Sequence, residues 1–511
     1  MSERKDSCKP CRESNAKCDK KRPRCGECLS KGKQCGGYDM GRIFINVNSS
    51  SPPPIWSRSQ NAQKYLVLDL KSQSHDPENL GASLSRPSSG LSFHSTSAFS
   101  MATLEPALPD VPPSKRDPTN IPGIVDTFLD LYYRRFNREE APAEILTSGQ
   151  ETGGWRILLP YWIGRSPTLD MAIGALAASF IGAQCQDPGL VDQGRNMYLQ
   201  ALQMVQQALS QPESATRKDL LVTTLAMSSI ELFLSNGASS SQAAHIDGAT
   251  RLLDNTIQSE DVDEIHLYVL NQGLFQAISM RQRYPFSDPA YRHLVHRLHC
   301  IPRTSQNGLF FQWCEIVLPL PNILHTVDSI LSSTGSSQAP KTAVLAILED
   351  IKALEHAMIP WYEQLKANNP GAWTFPTAQT GAASVPFPLQ FVSIETCTLY
   401  CLHWSSQLLI LEARQMLNPH LPPSELPNQP TSSALVPQIA EYASLICRSF
   451  QYCTENKSFA ATENMFFPLY TVANFYRRQS DGKRMKWCAA AFNRIAAEQR
   501  IGYASGQFNL E

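Results

Sequence analysis

The sequence has no long hydrophobic run, and this limits where the protein can reside. The longest mostly apolar stretch extends only from Met171 to Ala183, which is too short to span a bilayer as a helix. The first residues, Met-Ser-Glu-Arg-Lys-Asp, have no apolar run after their charges, so no secretory signal peptide is expected. We therefore expect a soluble intracellular protein in a reducing compartment, where clustered cysteines more often bind metal than form disulfides.

The sequence also lacks the short motifs that identify common catalytic sites. It contains no P-loop, no G-x-G-x-x-G, no G-x-S-x-G and no H-E-x-x-H, patterns that indicate phosphate binding, nucleophilic catalysis or zinc-dependent hydrolysis. We therefore assign no catalytic residue, and we do not expect the chain to be an enzyme.

Neither sign of charge dominates the 511 residues, which hold 45 Lys and Arg against 46 Asp and Glu. The charge is nevertheless unevenly distributed, because residues 1–35 carry 11 basic and 5 acidic residues. Six of the 14 cysteines also fall between Cys8 and Cys35. A small, basic, cysteine-rich head therefore precedes a large, mildly acidic body, and at this length more than one folded unit is expected.

The cysteines of the head form an internal duplication with the spacing C-x2-C-x6-C-x6-C-x2-C-x6-C. The six positions are Cys8, Cys11, Cys18, Cys25, Cys28 and Cys35, and the spacing of the first three is repeated in the last three. A C-x2-C pair places two thiolates close enough to chelate one ion at Zn–S distances near ~2.3 Å. Six thiolates can satisfy two tetrahedral ions only if two of them bridge, and the duplication offers one natural bridge in each half, Cys8 and Cys25.

Two other interpretations of the head are a disulfide knot and a metallothionein-like metal store. The absence of a secretory signal disfavours the knot. A metal store would not need the nine Lys and Arg that face three acidic residues within residues 8–35. With two Zn²⁺ and six thiolates this segment would still carry about +4, a charge density that suits the phosphate backbone of a nucleic acid.

The arrangement resembles the fungal binuclear zinc cluster family, the Zn2Cys6 DNA-binding domains, over roughly the first 40 residues. Beyond the six spacings, Arg12, Lys17, Asp19 and Pro23 stand where the family's motif has them. The resemblance implies two short helices, each opened by a C-x2-C, and a loop that turns at Pro23. It also implies one zinc ion held by Cys8, Cys11, Cys18 and Cys25, and a second held by Cys25, Cys28, Cys35 and Cys8.

The resemblance further implies that the head binds double-stranded DNA at short G·C-rich triplets. In such domains basic side chains hold the backbone and a cluster helix reads bases in the major groove. Ser14 and Asn15 occupy two positions where the family usually has adjacent basic residues that contact bases. The candidate DNA contacts are Lys9, Arg12, Ser14, Asn15, Lys17, Lys20, Lys21, Arg22 and Arg24. The last four are also a candidate nuclear-import patch, for which a solvated basic loop is the alternative.

The segment after the head has a composition typical of disorder. Residues 46–120 hold 16 Ser and 10 Pro among 75, too little apolar surface to offset the entropy of ordering. We predict a disordered linker over residues 41–120. Its one dense apolar patch, Tyr65 to Leu70, is far shorter than three heptads, so no coiled-coil dimerisation is expected beside the head. Any dimer would form through the body.

From about Ile121 onward the hydrophobic pattern has helical periodicity. Apolar residues three and four positions apart form long stripes that begin at Tyr198, Val344 and Ile439, and the second stripe is predicted to end before Pro360. No alternating strand pattern of comparable length is present. The predicted fold class is a small binuclear zinc cluster domain (1–40), a disordered linker (41–120) and a large all-α domain (121–511).

The body resembles the regulatory domain that follows the cluster in many fungal transcription factors. The similar segments are His245-x2-Gly248-Ala249-x2-Leu252-Leu253, and Cys447-Arg-Ser-Phe450 through Trp487-Cys488. The resemblance implies a regulatory role that involves the transcription machinery and leaves room for a small-molecule effector. It transfers no catalytic residue to this chain.

Three features of the body could be mistaken for functional sites. Cys397 and Cys401 share an apolar stripe with Trp404, so we interpret them as core thiols. The acidic run Glu260 to Glu264 could be an activation patch, but acids before a helical pattern suit a helix N-terminus. A cluster with three-residue spacing that could be mistaken for a metal site comprises His293, His296, His299 and Cys300. We interpret it as a surface or interface helix, because the third histidine has rotated off the face that the first two share.

Together these features predict a nuclear, zinc-dependent, sequence-specific DNA-binding transcription factor of RNA polymerase II genes. On family grounds it would be an activator, of a metabolic or secondary-metabolite gene set. The alternatives are a protein-interaction scaffold with a zinc tether and a helical enzyme without a recognisable motif. Binding of the head to random DNA that weakens with rising salt would argue against the scaffold.

Overall fold

The computed structural model describes the central part of the head and most of the body. The described residues are 11, 14, 16–19, 26–33, 109, 111–133, 154–211, 216–234, 239–259, 261–301, 308–333, 341–374, 388–421, 432–455 and 457–501. The chain divides into two compact units, one comprising residues 1–85 and 371–378 and the other residues 86–370 and 379–511. The head lies in the first unit, and nearly all helices lie in the second.

The second unit is helical, which confirms the all-α prediction for the body. The described helical residues of the head are those of α1 (Gly26–Ser30) and Cys11. The helices of the body are α2 (Ile121–Tyr132), α3 (Leu159–Trp162), α4 (Pro167–Gln184), α5 (Pro188–Leu209), α6 (Lys218–Leu234), α7 (Ser239–Thr256), α8 (Glu264–Met280), α9 (Arg292–His299), α10 (Gly308–Val317), α11 (Leu320–Ser333), α12 (Lys341–Asn368), α13 (Ile394–Leu417), α14 (Ser432–Thr454), α15 (Phe459–Glu463), α16 (Phe466–Arg478) and α17 (Gly482–Gln499). Short 3-10 turns lie at Pro113–Lys115, Trp155–Leu158, Pro285–Ser287, Pro289–Tyr291 and Asn418–His420. The described strands are very short, β1 (Trp373–Thr374) and β2 (Leu389–Gln390).

Several helices begin where a capping side chain precedes them. Ser166 accepts a hydrogen bond from the N–H of Leu169 at the start of α4, and Asp187 does the same for Leu190 at the start of α5. A proline follows each cap as the first helical residue. The side chain satisfies an N–H that the helix cannot, and proline has no N–H to leave unpaired. Local sequence therefore sets the start of both helices.

Helix α4 forms the centre of the N-terminal half of the body. Helices α2, α5 and α6 pack against it, and its Phe180 is 1% exposed. The Phe180 ring meets Phe128 edge-on at 5.3 Å and Phe459 at 5.7 Å between ring centroids. Because full burial of a phenylalanine side chain contributes about 1.5–3 kcal/mol, this aromatic contact joins α2, α4 and α15 into one core.

The pairing of α4 with α5 depends on glycine. A Cβ atom added at Gly194 in α5 would lie 2.5 Å from Ser179 Oγ and 2.9 Å from the Ser179 backbone nitrogen in α4. The backbone of α4 cannot move aside as a flexible side chain could. Only a residue without a Cβ therefore allows the two helices to approach this closely.

Helix α12 corrects one prediction. The stripe that begins at Val344 is predicted to end before Pro360, yet α12 continues through Pro360 to Asn368. A proline inside a helix removes one backbone hydrogen bond. Burial of Trp361 at 3% and Leu365 at 0% exposure extends the same stripe beyond the proline, and this apolar burial offsets the lost bond.

The predicted linker also ends earlier than expected. Residues 111–120 lie within the range assigned to it, and the structure shows them folded onto the body. Val111 is 2% exposed, its carbonyl accepts from Arg116 Nε at 2.8 Å, and Arg116 lies 3.5 Å from the Asp187 carboxylate. One buried valine and one cation anchor a segment whose overall composition indicated disorder. Within the ranges described above, no helix is both long and apolar enough to cross a membrane.

Candidate metal centre and nucleic-acid interface

The described cysteines of the head come together around a small buried centre. Cys11 and Cys28 are 2% and 3% exposed, and their sulfur atoms lie 3.8 Å apart. Cys18 and Ala16 are half-buried and pack against this pair. Cys8, Cys25 and Cys35 lie outside the described residues. Three of the six predicted ligands are therefore described, and the sulfurs of two of them, Cys11 and Cys28, are in contact.

The geometry of these sulfurs fits a thiolate cluster. Cys11 and Cys28 belong to the ligand sets of different ions, so the 3.8 Å contact between their sulfurs brings the two sets together, as a cluster with bridging thiolates requires. The two cysteines are equivalent positions of the duplicated halves, so the halves meet face to face. Among the described side chains no three potential ligands are grouped closely enough to hold a metal by themselves. The contact therefore supports one shared cluster rather than two separate sites.

Asp19 links the two halves of the head. Its carboxylate oxygens accept hydrogen bonds from the backbone N–H of Gly26 at 2.9 and 3.0 Å. Asp19 directly follows Cys18 in the first half, and Gly26 is the first residue of α1 in the second half. An acid at a helix N-terminus satisfies an unpaired N–H and interacts favourably with the helix dipole. This bond sets the position of α1, and with it that of the buried Cys28.

The described candidates for DNA contact are on the surface. Ser14 and Lys17 are exposed, as contact with a nucleic acid requires. The other candidates lie outside the described residues: Lys9, Arg12, Asn15, Lys20, Lys21, Arg22 and Arg24. For most of the candidate residues, their grouping into one DNA-binding surface therefore stays a prediction.

Sequence reasoning missed two exposed lysines that follow α1, Lys31 and Lys33. Lys31 Nζ lies 2.5 Å from Glu27 Oε1, and this carboxylate raises the pKa of Lys31 through a hydrogen bond and its charge. The duplication contained a signal for one of them, because the offset that relates Cys11 to Cys28 also relates Ser14 to Lys31. The basic side chain that the first half lacks at Ser14 is thus present at the equivalent position of the second half.

The two segments of the body that resemble the regulatory family lie in its core. Within α7, Leu253 is 0% exposed, and His245 Nε2 shares a 2.7 Å hydrogen bond with the Tyr198 hydroxyl. Burial lowers the pKa of His245. In the C-terminal segment, the rings of Phe450 and Trp487 meet edge-on at 5.9 Å. These contacts join helices that are distant in sequence, so the residues that make them have a structural role.

The competing features of the body are also accounted for. Cys397 and Cys401 are 0% exposed, which confirms that they are core thiols. The acidic run precedes α8 as predicted: the Asp263 side chain caps the helix, and His266 completes a capping box. In α9, His299 is buried and its Nδ1 lies 2.9 Å from the Val295 carbonyl, whereas His296 is exposed beside Glu315. His293 and Cys300 lie on the same short segment, and the histidines do not share one face.

A cavity in the body also escaped sequence reasoning. It has a volume of about 320 Å³ and is lined by residues of α6, α7, α8, α10, α13, α15, α16 and α17 and of the turn at Trp155. No single segment carries a pattern for such a site, because its walls come from distant parts of the chain. A weak signal was the presence of polar residues, Asn271 among them, along the largely apolar α8.

Two comparisons with known families agree with the two parts of the chain. Residues 6–41 match the fungal Zn(2)-Cys(6) binuclear cluster domain, and residues 132–506 match the fungal specific transcription factor domain. No curated protein and no solved structure is significantly similar to the chain.

Proposed function

Because this chain belongs to the family of fungal zinc-cluster transcription factors, we propose that it acts in the nucleus and regulates genes through short G·C-rich half-sites. Membership of this family establishes the general function. The protein is a zinc-cluster, DNA-binding transcription factor, and its cluster domain binds two zinc ions. Both matching families are families of transcription factors, which supports a role without catalysis.

We assign the six cysteines of the head as the zinc ligands. One ion would be held by Cys8, Cys11, Cys18 and Cys25, and the other by Cys25, Cys28, Cys35 and Cys8. The observation that carries this assignment is the six-cysteine spacing within residues 6–41, which match the binuclear cluster domain. The 3.8 Å contact between the buried sulfurs of Cys11 and Cys28, which are assigned to different ions, supports one shared cluster. When bound, the zinc ions supply structural cross-links that hold a segment too small for a hydrophobic core of its own.

The ligand assignment predicts unequal effects of cysteine substitution. Cys25→Ala removes a bridge and leaves both ions with three thiolates, whereas Cys35→Ala affects one ion only. We expect two zinc ions in the unchanged full-length chain, close to none in Cys25→Ala, and about one in Cys35→Ala, as measured by native mass spectrometry or metal analysis. Cys300→Ala, at the exposed cysteine of the body, is the matched control and should retain both ions. Equal losses in the two head variants would contradict the bridging role.

We propose that the exposed first half of the head carries the base-reading surface. Ser14 and Lys17 are exposed beside the buried Cys11, so the metal-holding and solvent-facing positions alternate over a few residues. Lysine and arginine would hold the phosphates, while Ser14 and Asn15 would face the bases. A lysine is a point donor to guanine O6 and N7, but an asparagine offers one donor and one acceptor, which match adenine.

The proposed role of Asn15 is tested by changing it to the residue type that the family usually has. DNA would be selected from a random pool with the full-length protein and with Asn15→Lys. We expect the native protein to show a shifted or looser triplet, and Asn15→Lys to gain preference for guanine, with roughly 1–3 kcal/mol of discrimination per contact. Ser30→Ala, at an exposed position within α1, is the control and should leave the selected sequence unchanged. If the native protein and Asn15→Lys select the same triplet with the same stringency, Asn15 does not determine specificity.

We further propose that the helical body regulates the head, contacts the transcription machinery and activates the target genes. The match of residues 132–506 to a domain specific to fungal transcription factors supports this proposal. The basic residues Lys20 to Arg24 would serve in nuclear import. A genome-wide binding profile and expression analysis with and without the protein test localisation, target genes and the sign of regulation together. Target genes whose expression rises when the protein is removed would contradict activation.

A further inference from the structure

The cavity of the body has one wall formed by a single face of α8. Residues spaced three and four apart along this helix line it, which is one side of a helix. They are Tyr268, Asn271, Gln272, Phe275, Gln276 and Ser279. Its volume of about 320 Å³ is at the lower end of the range for small-molecule sites.

Three aromatic rings form apolar surfaces within this cavity. Phe275, Phe310 and Phe467 all line it and are half-buried. The Phe275 and Phe310 rings are nearly parallel, with centroids 6.2 Å apart, and Phe467 meets Phe275 edge-on at 4.9 Å. Most other phenylalanines of the body core, such as Phe180, are almost fully buried. Flat apolar walls of this kind accept a flat apolar molecule.

Asn271 gives the site a polar group without a partner. Its side chain is 3% exposed, and among the described residues neither Oδ1 nor Nδ2 has a hydrogen-bond partner. Gln276, on the same face of α8, donates to Asp247 Oδ1 at 2.6 Å. The indole N–H of Trp155, which is 1% exposed and also lines the cavity, likewise lacks an acceptor in the described part of the chain. Buried amide and indole groups normally have partners because leaving them unpaired is costly.

The charges of the lining disfavour an anionic ligand. The Arg156 guanidinium is 3% exposed, and Glu463 accepts two hydrogen bonds from it at 3.0 and 3.1 Å. Arg156 also donates to Ser229 Oγ at 2.8 Å. The charge of Arg156 is therefore balanced by Glu463, and Glu395 adds a second carboxylate to the lining.

We propose that this cavity is a binding site for a neutral, flat small molecule with an adjacent hydrogen-bond donor and acceptor, such as a ring lactam or an aromatic carboxamide. The donor–acceptor edge of the ligand pairs with the amide of Asn271, and its ring lies against Phe275 and Phe310. A ligand with an additional acceptor would also accept a hydrogen bond from the indole N–H of Trp155. The proposal does not rest on the DNA-reading role of the head, because every residue involved belongs to the body.

The test uses the full-length protein and three flat probes of similar size. Isoquinolin-1(2H)-one carries the lactam edge, isoquinoline lacks it, and 1-naphthoate carries a negative charge. In calorimetric titrations we expect one saturable site for the lactam, with binding of isoquinoline and naphthoate weaker by about tenfold or more. Absence of saturable lactam binding, or naphthoate binding as tight as that of the lactam, overturns the proposal.

Two variants test the assigned residues. Asn271→Leu should weaken lactam binding by about tenfold and leave isoquinoline binding unchanged, since only the polar edge is lost. Ser279→Trp should fill the cavity and abolish binding of both probes. Unchanged lactam affinity in either variant overturns the assignment.

A stability measurement separates ligand binding from a purely structural role. Asn271→Leu removes unpaired polar atoms, so its melting temperature should equal or exceed that of the unchanged protein. Asn322→Leu is the matched control, because Asn322 Oδ1 accepts from the Tyr284 N–H at 2.8 Å, and its melting temperature should fall. If Asn271→Leu loses as much stability as Asn322→Leu, Asn271 is structural and the site is not the one proposed.

Discussion

At the scale of single residues, the head depends on polar contacts as well as on its cysteines. Asp19 bonds to the first N–H of α1 through both carboxylate oxygens, and so fixes the helix that carries Cys28. A Cβ atom at Gly26 would lie 2.6 Å from Asp19 Oδ2. Because Oδ2 is the end of a flexible side chain, a residue with a Cβ at position 26 would shift the carboxylate and weaken both bonds.

We predict that Gly26→Ala weakens zinc retention. The loss of an N-terminal cap costs about 0.5–2 kcal/mol, so transfer of zinc from the full-length protein to a competing chelator should be faster than for the unchanged protein. Ser30→Ala, at an exposed position in the same helix, is the matched control and should behave as the unchanged protein does. Identical zinc transfer in all three proteins would show that the Asp19 contact does not stabilise the cluster.

At the scale of helices and strands, the sequence predicted most of what a local pattern can encode. The start of α2 at Ile121 and the cap of α8 by Asp263 follow from periodicity and capping chemistry. The continuation of α12 through Pro360 does not, because burial of Trp361 and Leu365 outweighs a local helix breaker. The folding of residues 111–120 likewise depends on contacts made with distant residues such as Asp187.

The close contact between α4 and α5 leads to a paired prediction. Gly194→Ala would place a Cβ against the backbone of Ser179, and overpacking of this kind costs about 1–3 kcal/mol. In Gly248→Ala, in α7, the new Cβ would lie 3.7 Å from its nearest neighbour, which is an ordinary contact. The higher helix propensity of alanine should therefore stabilise this variant by up to about 1 kcal/mol. Thermal unfolding followed by circular dichroism compares the two. A Gly194→Ala variant as stable as Gly248→Ala would show that α4 and α5 can separate without cost.

At the scale of the whole molecule, the predictability of each site depends on how many segments contribute to it. The cysteine cluster lies in one short segment between Cys8 and Cys35, so its spacing is visible in the sequence, and the family match over residues 6–41 confirms its class. The cavity is assembled from residues as distant as Trp155 and Tyr470. No periodicity connects these residues, and only the fold brings them together.

The uneven charge of the molecule gives the last prediction. The head holds 11 basic and 5 acidic residues, whereas the rest of the chain is acidic, so non-specific DNA binding should come from the head and fall with salt. Each phosphate contact contributes roughly 0.9 to the slope of log K against log salt. Replacing Lys20 and Lys21 together with Gln should therefore reduce this slope by about 1.8 and leave the selected sequence unchanged.

The control for this prediction is a lysine already engaged by a carboxylate. Lys31→Gln removes a charge that lies 2.5 Å from Glu27, so the salt slope should change far less than in the double variant. Fluorescence anisotropy of the full-length protein on a non-specific duplex, measured over a range of salt concentrations, provides both slopes. If Lys31→Gln reduces the slope as much as the double variant, net charge governs binding and Lys20 and Lys21 make no specific phosphate contacts. If neither variant alters the slope, the phosphates are held elsewhere on the chain, because counterion release depends on where the cations meet the DNA.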